Sequence, residues 1–278
     1  MRRRSSRWVA RLLGRSKRRR LANAGFLGAS ALVGVDAVFV EPYRIEVPHH
    51  VAHAAVARPL VLAHLSDLHT HGLGRREQRV VEILAHEAPD AIVVTGDLVD
   101  DGDLESARPL FGRLHAPLGV WVVRGNWENW RPPANERETI ASFGAKLLVN
   151  EGTLLRPDIW LAGLDDPISG AADLDAALRG APPTSTKIAL FHSPDVFDDI
   201  AGRVDLAFAG HTHGGQVRLP LIGALWTPPG SGRYVDGWYD ASDARMLVSR
   251  GVGTSVVDVR FLCPPEVAIV TIAPSRSD

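Results

Sequence analysis

The sequence has few of the residues that build covalent or thiolate sites. Cys263 is the single cysteine among 278 residues, which excludes a disulfide framework and any metal cluster held by several thiolates. Because free cysteine is usually buried, we interpret Cys263 as a small hydrophobic residue of the core. The apolar fraction of 45% and the charged fraction of 23% are those of ordinary globular proteins, which excludes a disordered chain and a polytopic membrane protein.

Acidic residues are absent from the start of the chain. Residues 1–20 hold ten of the 31 Lys and Arg and no Asp or Glu, which leaves 21 basic against 32 acidic residues in the remainder. This is a basic tail on an acidic body, and not the uniformly basic pattern of a nucleic-acid-binding protein. We therefore expect no nucleic-acid partner.

An uninterrupted apolar run long enough to cross a bilayer is also missing. Residues 22–40 approach the roughly 20 residues that a spanning helix needs, but Asn23 and Asp36 interrupt them. Asp36 lies near the end of the run, where an aspartate costs less than at the bilayer centre. Three interpretations of residues 21–40 stay open: a membrane anchor, a signal for export, and a helix packed on the body. The first two predict association with a membrane, reinforced by basic residues next to anionic lipid, on a face that the sequence leaves undecided.

The rest of the chain predicts a linker followed by one α/β domain. Residues 41–58 contain several Pro and His and are typical of a linker. From residue 59 to residue 278, short apolar runs alternate with helical patterns, which indicates an α/β (α+β) fold. The apolar spacing predicts helices over 75–86, 104–114 and 135–143, and strands over 146–149, 159–162, 246–248, 258–262 and 267–272.

Five further predicted strands each end in polar residues that can bind a metal ion. Sites in open α/β sheets lie at the carboxyl ends of the strands, so these side chains converge if the strands pair side by side. Carboxylate, imidazole and amide ligands without sulfur suit Mn²⁺, Fe or Zn²⁺ rather than Ca²⁺, and seven ligands suit two ions. We expect Mn²⁺, with Fe or Zn²⁺ as alternatives. The seven candidate ligands are Asp67, His69, Asp97, Asn126, His192, His211 and His213.

The order of these motifs resembles the calcineurin-like metallophosphoesterase superfamily. The resemblance extends over residues 60 to about 215, and it rests on Asp67-Leu-His69, Gly96-Asp97, Gly125-Asn126, His192 and Gly210-His-Thr-His213. It implies a sandwich of two packed mixed β-sheets flanked by helices, with residues 59–278 as the catalytic domain. It also implies a dinuclear centre in which Asp67, His69 and His213 hold one ion, Asn126, His192 and His211 hold the other, and Asp97 bridges them.

Further strings look like one bacterial branch of this superfamily, which holds membrane-anchored or exported phosphoesterases. They include His64-Leu-Ser-Asp-Leu-His69, Glu41-Pro-Tyr43 and Ser249-Arg-Gly-Val-Gly-Thr-Ser255. Some members of the branch are UDP-2,3-diacylglucosamine pyrophosphatases of lipid A synthesis. The resemblance therefore implies hydrolysis of a pyrophosphate or phosphodiester bond in a phosphorylated small molecule, with a lipid-linked molecule such as UDP-2,3-diacylglucosamine as one option.

One position departs from the superfamily pattern. Members usually carry Gly-Asn-His followed by an acidic residue, whereas this chain has Trp127 and then Glu128. The missing His stabilises the transferring phosphoryl group and assists the leaving oxygen, but indole has one N–H donor and no proton to give. General acid catalysis typically contributes 10²–10⁴-fold, so Trp127 favours substrates whose leaving group departs without a proton, such as pyrophosphates.

We expect direct roles in catalysis for Asp97, Asn126, Trp127 and Glu128, with Glu128 placed to orient a ring at position 127. A second interpretation stays open, in which the chain is a binding module on the same fold and the loss of the His has abolished catalysis.

Overall fold

Nearly continuous apolar runs form two six-stranded β-sheets in the part of the chain that the computed structural model describes, residue 23 and residues 31–275. Such runs are typical of strands that are covered on both faces. The strands are β1 (His49–Ala54), β2 (Leu60–Leu65), β3 (Ala91–Thr95), β4 (Val120–Val123), β5 (Ala145–Leu147), β6 (Glu151–Arg156), β7 (Ile159–Gly163), β8 (Thr186–Leu190), β9 (Leu206–Ala209), β10 (Arg218–Leu219), β11 (Gly223–Ala224), β12 (Gly237–Ala241), β13 (Ala244–Val248) and β14 (Ala268–Pro274).

Both large sheets are mixed. The first has the strand order β1-β14-β2-β3-β4-β5, in which β2 to β5 are parallel and β14 runs antiparallel to β2. The second has the order β12-β13-β9-β8-β7-β6, with four parallel central strands between two antiparallel edge strands. Strands β10 and β11 pair separately as a short hairpin.

The two sheets pack face to face with helices on their outer faces. Leu62 and Val93 of the first sheet share a buried core with Leu190 and Phe208 of the second. Burial of each such side chain contributes about 1.5–3 kcal/mol to the stability of the fold. Two further buried clusters lie between the sheets and the helices, so the predicted layered α/β sandwich is confirmed. The helices are α1 (Arg75–Glu87), α2 (Arg108–Phe111), α3 (Asn126–Trp130), α4 (Glu136–Ser142), α5 (Leu174–Ala177) and α6 (Phe197–Ile200).

Apolar spacing predicted the helices to different degrees. Helix α1 begins and ends within one residue of its prediction and buries Val80 and Leu84. The helix predicted over 104–114 is divided into a 3₁₀ turn, Leu104–Ala107, and α2. Pro109 lies in the first turn of α2, where the absence of its N–H breaks no intrahelical hydrogen bond.

Two predictions of local structure were wrong. Residues 41–58 are more than a linker, because β1 pairs in parallel with β14 at the edge of the first sheet. Residues 258–262 form no strand; Phe261 makes one isolated bridge to Val217. The reason is Arg260, which is fully buried and donates hydrogen bonds to backbone carbonyls instead of lying on the face of a sheet.

The predicted N-terminal membrane helix falls largely outside the described residues. Residues 31–35 are helical and continue into a π-helical turn, Asp36–Val40. Among the described residues, no helix combines the length and the apolar content that crossing a bilayer requires. The basic tail over 1–20 lies outside the described residues altogether.

Candidate metal centre

The seven predicted ligands lie together at the carboxyl ends of five strands. These five strands are not all neighbours in one sheet, because β2, β3 and β4 belong to the first sheet and β8 and β9 to the second. Since the sheets pack face to face, their carboxyl ends meet and the loops converge. All seven side chains are buried.

One group of ligand atoms consists of Asp67, His69 and His213. The Nε2 atoms of His69 and His213 are 3.3 Å apart, and Nε2 of His213 is 3.3 Å from Oδ1 of Asp67. Two imidazole nitrogens and a carboxylate that face one another at this distance form the donor set that a divalent cation takes.

The second group consists of Asp97, His192 and His211, and Asn126 completes it. The Nε2 atom of His192 lies 3.0 Å from Oδ2 of Asp97 and 3.1 Å from Oδ1 of Asn126. The same Oδ2 of Asp97 lies 3.7 Å from Nε2 of His69 in the first group. The Asp97 carboxylate is therefore placed between the two groups, and the set fits two ions.

Backbone carbonyls determine which nitrogen of two histidines faces the centre. Nδ1 of His192 donates to the carbonyl of Thr95 at 2.6 Å, and Nε2 of His211 donates to the carbonyl of Pro229 at 2.7 Å. A carbonyl only accepts, so each of these nitrogens carries a proton, and the opposite nitrogen is the one that binds a metal when the imidazole is neutral. The sequence around Thr95 and Pro229 gave no signal of this role.

Five of the seven residues have backbone φ angles in the left-handed region. This conformation is uncommon outside glycine, although Asp and His are among the residues that tolerate it, and such residues cluster at functional sites. Hydrogen bonds hold the loops in place: His69 N donates to Asp97 O at 3.0 Å, and His211 N donates to Oδ1 of Asp67 at 3.1 Å. The five are Asp67, His69, Asp97, His211 and His213.

Burial and mutual charge shift the pKa values within the centre in opposite directions. Burial raises the pKa of Asp67 to about 6 and lowers that of His69 to about 4. Burial also acts to lower the pKa of His192, but the charge and hydrogen bond of Asp97 outweigh it, and the pKa is raised well above its ordinary value. pKa values that burial and neighbouring charges shift in opposite directions are characteristic of functional sites.

Comparison with known proteins decides the family. Calcineurin-like phosphoesterase is the family that matches, over residues 60–215. The chain belongs to it. It is therefore a metal-dependent phosphoester hydrolase, and the predicted superfamily is confirmed.

Three relatives show the range of this similarity. The uncharacterized metallophosphoesterase YkuE of Bacillus subtilis is 31% identical, over 90% of this chain and 92% of its own length. The phosphodiesterase YaeI of Escherichia coli is 29% identical, over 78% of this chain and 83% of its own. A transmembrane protein with metallophosphoesterase domain of Danio rerio is 29% identical, over 77% of this chain and 53% of its own length.

Glu128 has a different role in this phosphoesterase from the one predicted. Its buried carboxylate accepts three backbone hydrogen bonds, from the N–H groups of Asp97 at 3.0 Å, Leu98 at 2.8 Å and Gly125 at 2.8 Å. It therefore ties the loop after β3 to the loop after β4, and it orients no ring at position 127. Burial, followed by the negative charge of Asp97, raises its pKa to about 7.

Trp127 lies over the metal centre. Its ring meets that of His69 edge to face at a centroid distance of 6.1 Å, and its backbone N–H donates to Oδ1 of Asp97 at 2.9 Å. The indole also lines a cavity of about 390 Å³ that opens beside Asp97 and Asn126. The other walls of this cavity are mostly apolar and include Trp130, Val217, Leu225, Trp226, Val256 and Val257.

Arg260 is a buried side chain that lies behind the metal centre. Its guanidinium is fully buried and donates to the carbonyls of Gly253 at 2.6 Å and Cys263 at 3.0 Å. The N–H of Gly253 in turn donates to the carbonyl of Asp67 at 2.6 Å. Arg260 thus supports the loop that packs behind Asp67, and the prediction that Cys263 is buried is confirmed.

Proposed function

We propose that the chain is a hydrolase of phosphodiester or pyrophosphate bonds with a dinuclear metal centre. Asp67, His69 and His213 hold one ion, Asn126, His192 and His211 hold the other, and Asp97 bridges them. The observation that carries this proposal is the position of one oxygen of Asp97, 3.0 Å from His192 and 3.7 Å from His69, since a carboxylate between two ligand groups neutralises both cations.

The donor chemistry favours Mn²⁺, with Fe or Zn²⁺ as alternatives. When bound, a pair of such cations supplies Lewis acid stabilisation of the charge on the phosphoryl oxygens. The protein's own contribution is to hold the ligands: the Thr95 and Pro229 carbonyls orient two histidines, and Glu128 fixes the two loops that carry Asp97 and Asn126.

The cavity supports a substrate whose leaving group needs no proton. Trp127 stands where the superfamily pattern has a histidine. The cavity walls around it are mostly apolar, and the ionisable side chains among them, Asp97, His211 and His213, are the proposed metal ligands. A pyrophosphate releases a phosphate that is stable as an anion, and an activated diester behaves similarly. The E. coli relative is named phosphodiesterase YaeI, which supports the diester as a substrate class.

The Asp97→Asn variant tests the dinuclear proposal. We expect turnover of a chromogenic phosphodiester with added Mn²⁺ to fall at least about 100-fold, because one formal charge between two cations is lost, and we expect bound metal per chain to fall. Asp243→Asn is the matched control, since Asp243 is exposed on a turn far along the chain from any ligand. Undiminished turnover with two metals still bound would exclude Asp97 as the bridge.

A second candidate function rests on Trp127 alone. If the loss of the histidine has abolished catalysis, the chain is a binding module that holds metals and a phosphorylated ligand without turning it over. A native protein that contains two metal ions per chain and is inert on phosphodiesters and pyrophosphates would support this function. The presence of all seven ligand types favours the enzyme, because two-metal centres are catalytic sites of hydrolysis and binding of a ligand does not by itself require one.

We further propose that residues 1–20 are a basic tail, that residues 21–40 attach the domain over 59–278 to a membrane, and that the substrate is lipid-linked. The ten basic residues of the tail and the apolar cavity walls support this proposal. Removal of residues 1–40 should move the protein from the membrane to the supernatant after cell fractionation. Protease treatment of intact cells identifies the face, and turnover of UDP-2,3-diacylglucosamine tests that particular substrate.

A further inference from the structure

Large apolar side chains are exposed around the mouth of the cavity. Leu221 at the tip of the β10–β11 hairpin is fully exposed, and Ile222 and Val256 are 70% and 90% exposed. We call this set the apolar rim; it consists of Leu221, Ile222, Leu225, Trp226, Val256 and Val257. Contiguous exposed apolar patches are rare on soluble monomers and mark interaction sites.

The apolar rim comes from two segments of the chain, residues 221–226 and residues 256–257, and one side chain holds them together. The amide of Gln216 donates to the carbonyl of Val257 at 3.3 Å and accepts from the N–H of Ser255 at 2.7 Å. At the base of the hairpin, Leu225 N donates to Val217 O at 3.2 Å. The rim is therefore one continuous surface.

The cavity connects the apolar rim to the metal centre. Leu225, Trp226 and Val257 of the rim line it together with Asp97 and Asn126 of the metal centre. A molecule with its phosphate at the metal centre and an acyl chain toward the rim would fill this cavity. Its charged end would meet the metal centre, and its apolar chain would be buried against apolar walls.

The segment that leads to the basic tail lies against the same part of the body. Ala37 O accepts from Arg260 N at 2.9 Å, and the Glu41 carboxylate accepts from the N–H of Cys263, a few residues beyond Val257. On this segment Leu32 and Phe39 are 72% and 65% exposed. Ten basic residues precede it in the sequence, and basic residues close to an anionic lipid surface are attracted to it.

We propose that the apolar rim is a docking surface for an anionic phospholipid bilayer, through which an acyl-bearing phosphoester enters the cavity. The rim supplies apolar contact and the tail supplies charge attraction, the two components of binding at a lipid interface. The hydrolysis of the substrate that enters rests on the proposed function, whereas docking on the bilayer does not depend on it.

The test compares two double variants of the full-length chain. Leu221→Ser/Ile222→Ser alters the rim without touching the cavity walls, and Val51→Ser/Leu154→Ser is the matched control, because Val51 and Leu154 are 58% and 49% exposed on the edge strands β1 and β6. Each protein is sedimented with phosphatidylcholine vesicles containing about 30% phosphatidylglycerol, at low salt and at about 1 M salt, where the charge attraction of the tail is screened.

We expect the rim variant to bind these vesicles about tenfold or more weakly than the native chain at high salt, since two large apolar contacts are lost. The control should bind as the native chain does. Equal vesicle binding by the rim variant and the native chain would overturn the proposal. So would a native chain that self-associates in analytical ultracentrifugation while the rim variant is monomeric with undiminished vesicle binding, because the rim would then be an interface between copies.

Turnover of a water-soluble chromogenic phosphodiester separates this proposal from the proposed function. We expect both double variants to retain it. Loss of vesicle binding in the rim variant, in a protein that is inert on every phosphoester, would support the docking surface and contradict the hydrolase.

Discussion

Substitution of Trp127 by histidine tests how the departure from the family pattern shapes substrate choice. The indole lies over the centre and lines the cavity beside Asp97 and Asn126. An imidazole at the same position carries a transferable proton. We expect it to raise turnover of phosphodiesters with poor leaving groups and to leave turnover of pyrophosphates nearly unchanged.

The structure limits the size of this gain. General acid catalysis contributes typically 10²–10⁴-fold, and the upper part of that range requires an oriented ring. Glu128 provides no orientation, because its carboxylate is occupied by three backbone N–H groups. We therefore expect a gain of about 10²-fold, equal to about 2.7 kcal/mol in activation free energy. Loss of the edge contact with Trp130, at 5.8 Å between centroids, should destabilise the fold by about 0.5–1.5 kcal/mol.

The assay is a plot of log turnover against leaving-group pKa for a series of aryl and alkyl phosphodiesters. The native protein should give a steep slope and Trp127→His a shallower one. Trp127→Phe is the matched control, since it keeps an aromatic ring over the centre without a transferable proton, and it should retain the steep slope. Bound metal and thermal unfolding of each variant are measured in parallel.

Parallel lines for the native protein and Trp127→His would refute the reasoning, because position 127 would then have no part in the departure of the leaving group. A shallower slope in Trp127→Phe as well would also refute it, since the effect would come from removal of the indole and not from a proton. A native protein inert on the whole series, with two ions bound, would favour the binding module.

Three other perturbations follow from the contacts. In Gly125→Ala the new Cβ would lie 2.1 Å from Oδ1 of Asp97, so bound metal and turnover should both fall, whereas Gly202→Ala, with nothing within 4 Å, should retain both; equal metal content in the two would contradict this. Glu128→Gln exchanges an acceptor oxygen for a donor, which leaves a buried N–H unpaired. The free energy of unfolding should therefore fall by about 1–3 kcal/mol in urea titrations. A urea midpoint and a slope of the titration that both equal those of the native protein would contradict this expectation. A hydrogen bond from Arg156 lowers the pKa of Asp158 from 3.8 to about 2. The ion pair therefore stabilises the fold fully above pH 3.8, and this stabilisation disappears as the pH falls through about 2. Asp158→Asn should therefore be less stable than the native protein at pH 7 by about 1 kcal/mol after solvent screening, and a difference that does not narrow between pH 5 and pH 3 would count against the ion pair.

Local patterns predicted elements wherever a side chain's environment follows from its near neighbours. The apolar spacing of α1 located that helix within one residue, because a single face of the helix is buried. Strand β1 was missed because it is an edge strand in which three of the six residues are histidines and only Ala52 and Ala54 are buried. Its partner β14 lies at the other end of the chain, and no local pattern reports a pairing at that distance.

The sequence by itself determined the ligand types and their order, since each ligand follows its own apolar strand and the strand's composition marks where it ends. Only the tertiary structure decided how these ligands meet: that β4 and β8 belong to different sheets, that a carbonyl at Pro229 selects the nitrogen of His211, and that Glu128 braces two loops. Each of these depends on a contact between segments that are remote in the chain, and the geometry of such contacts is set by the packing of the two sheets and not by any local sequence preference.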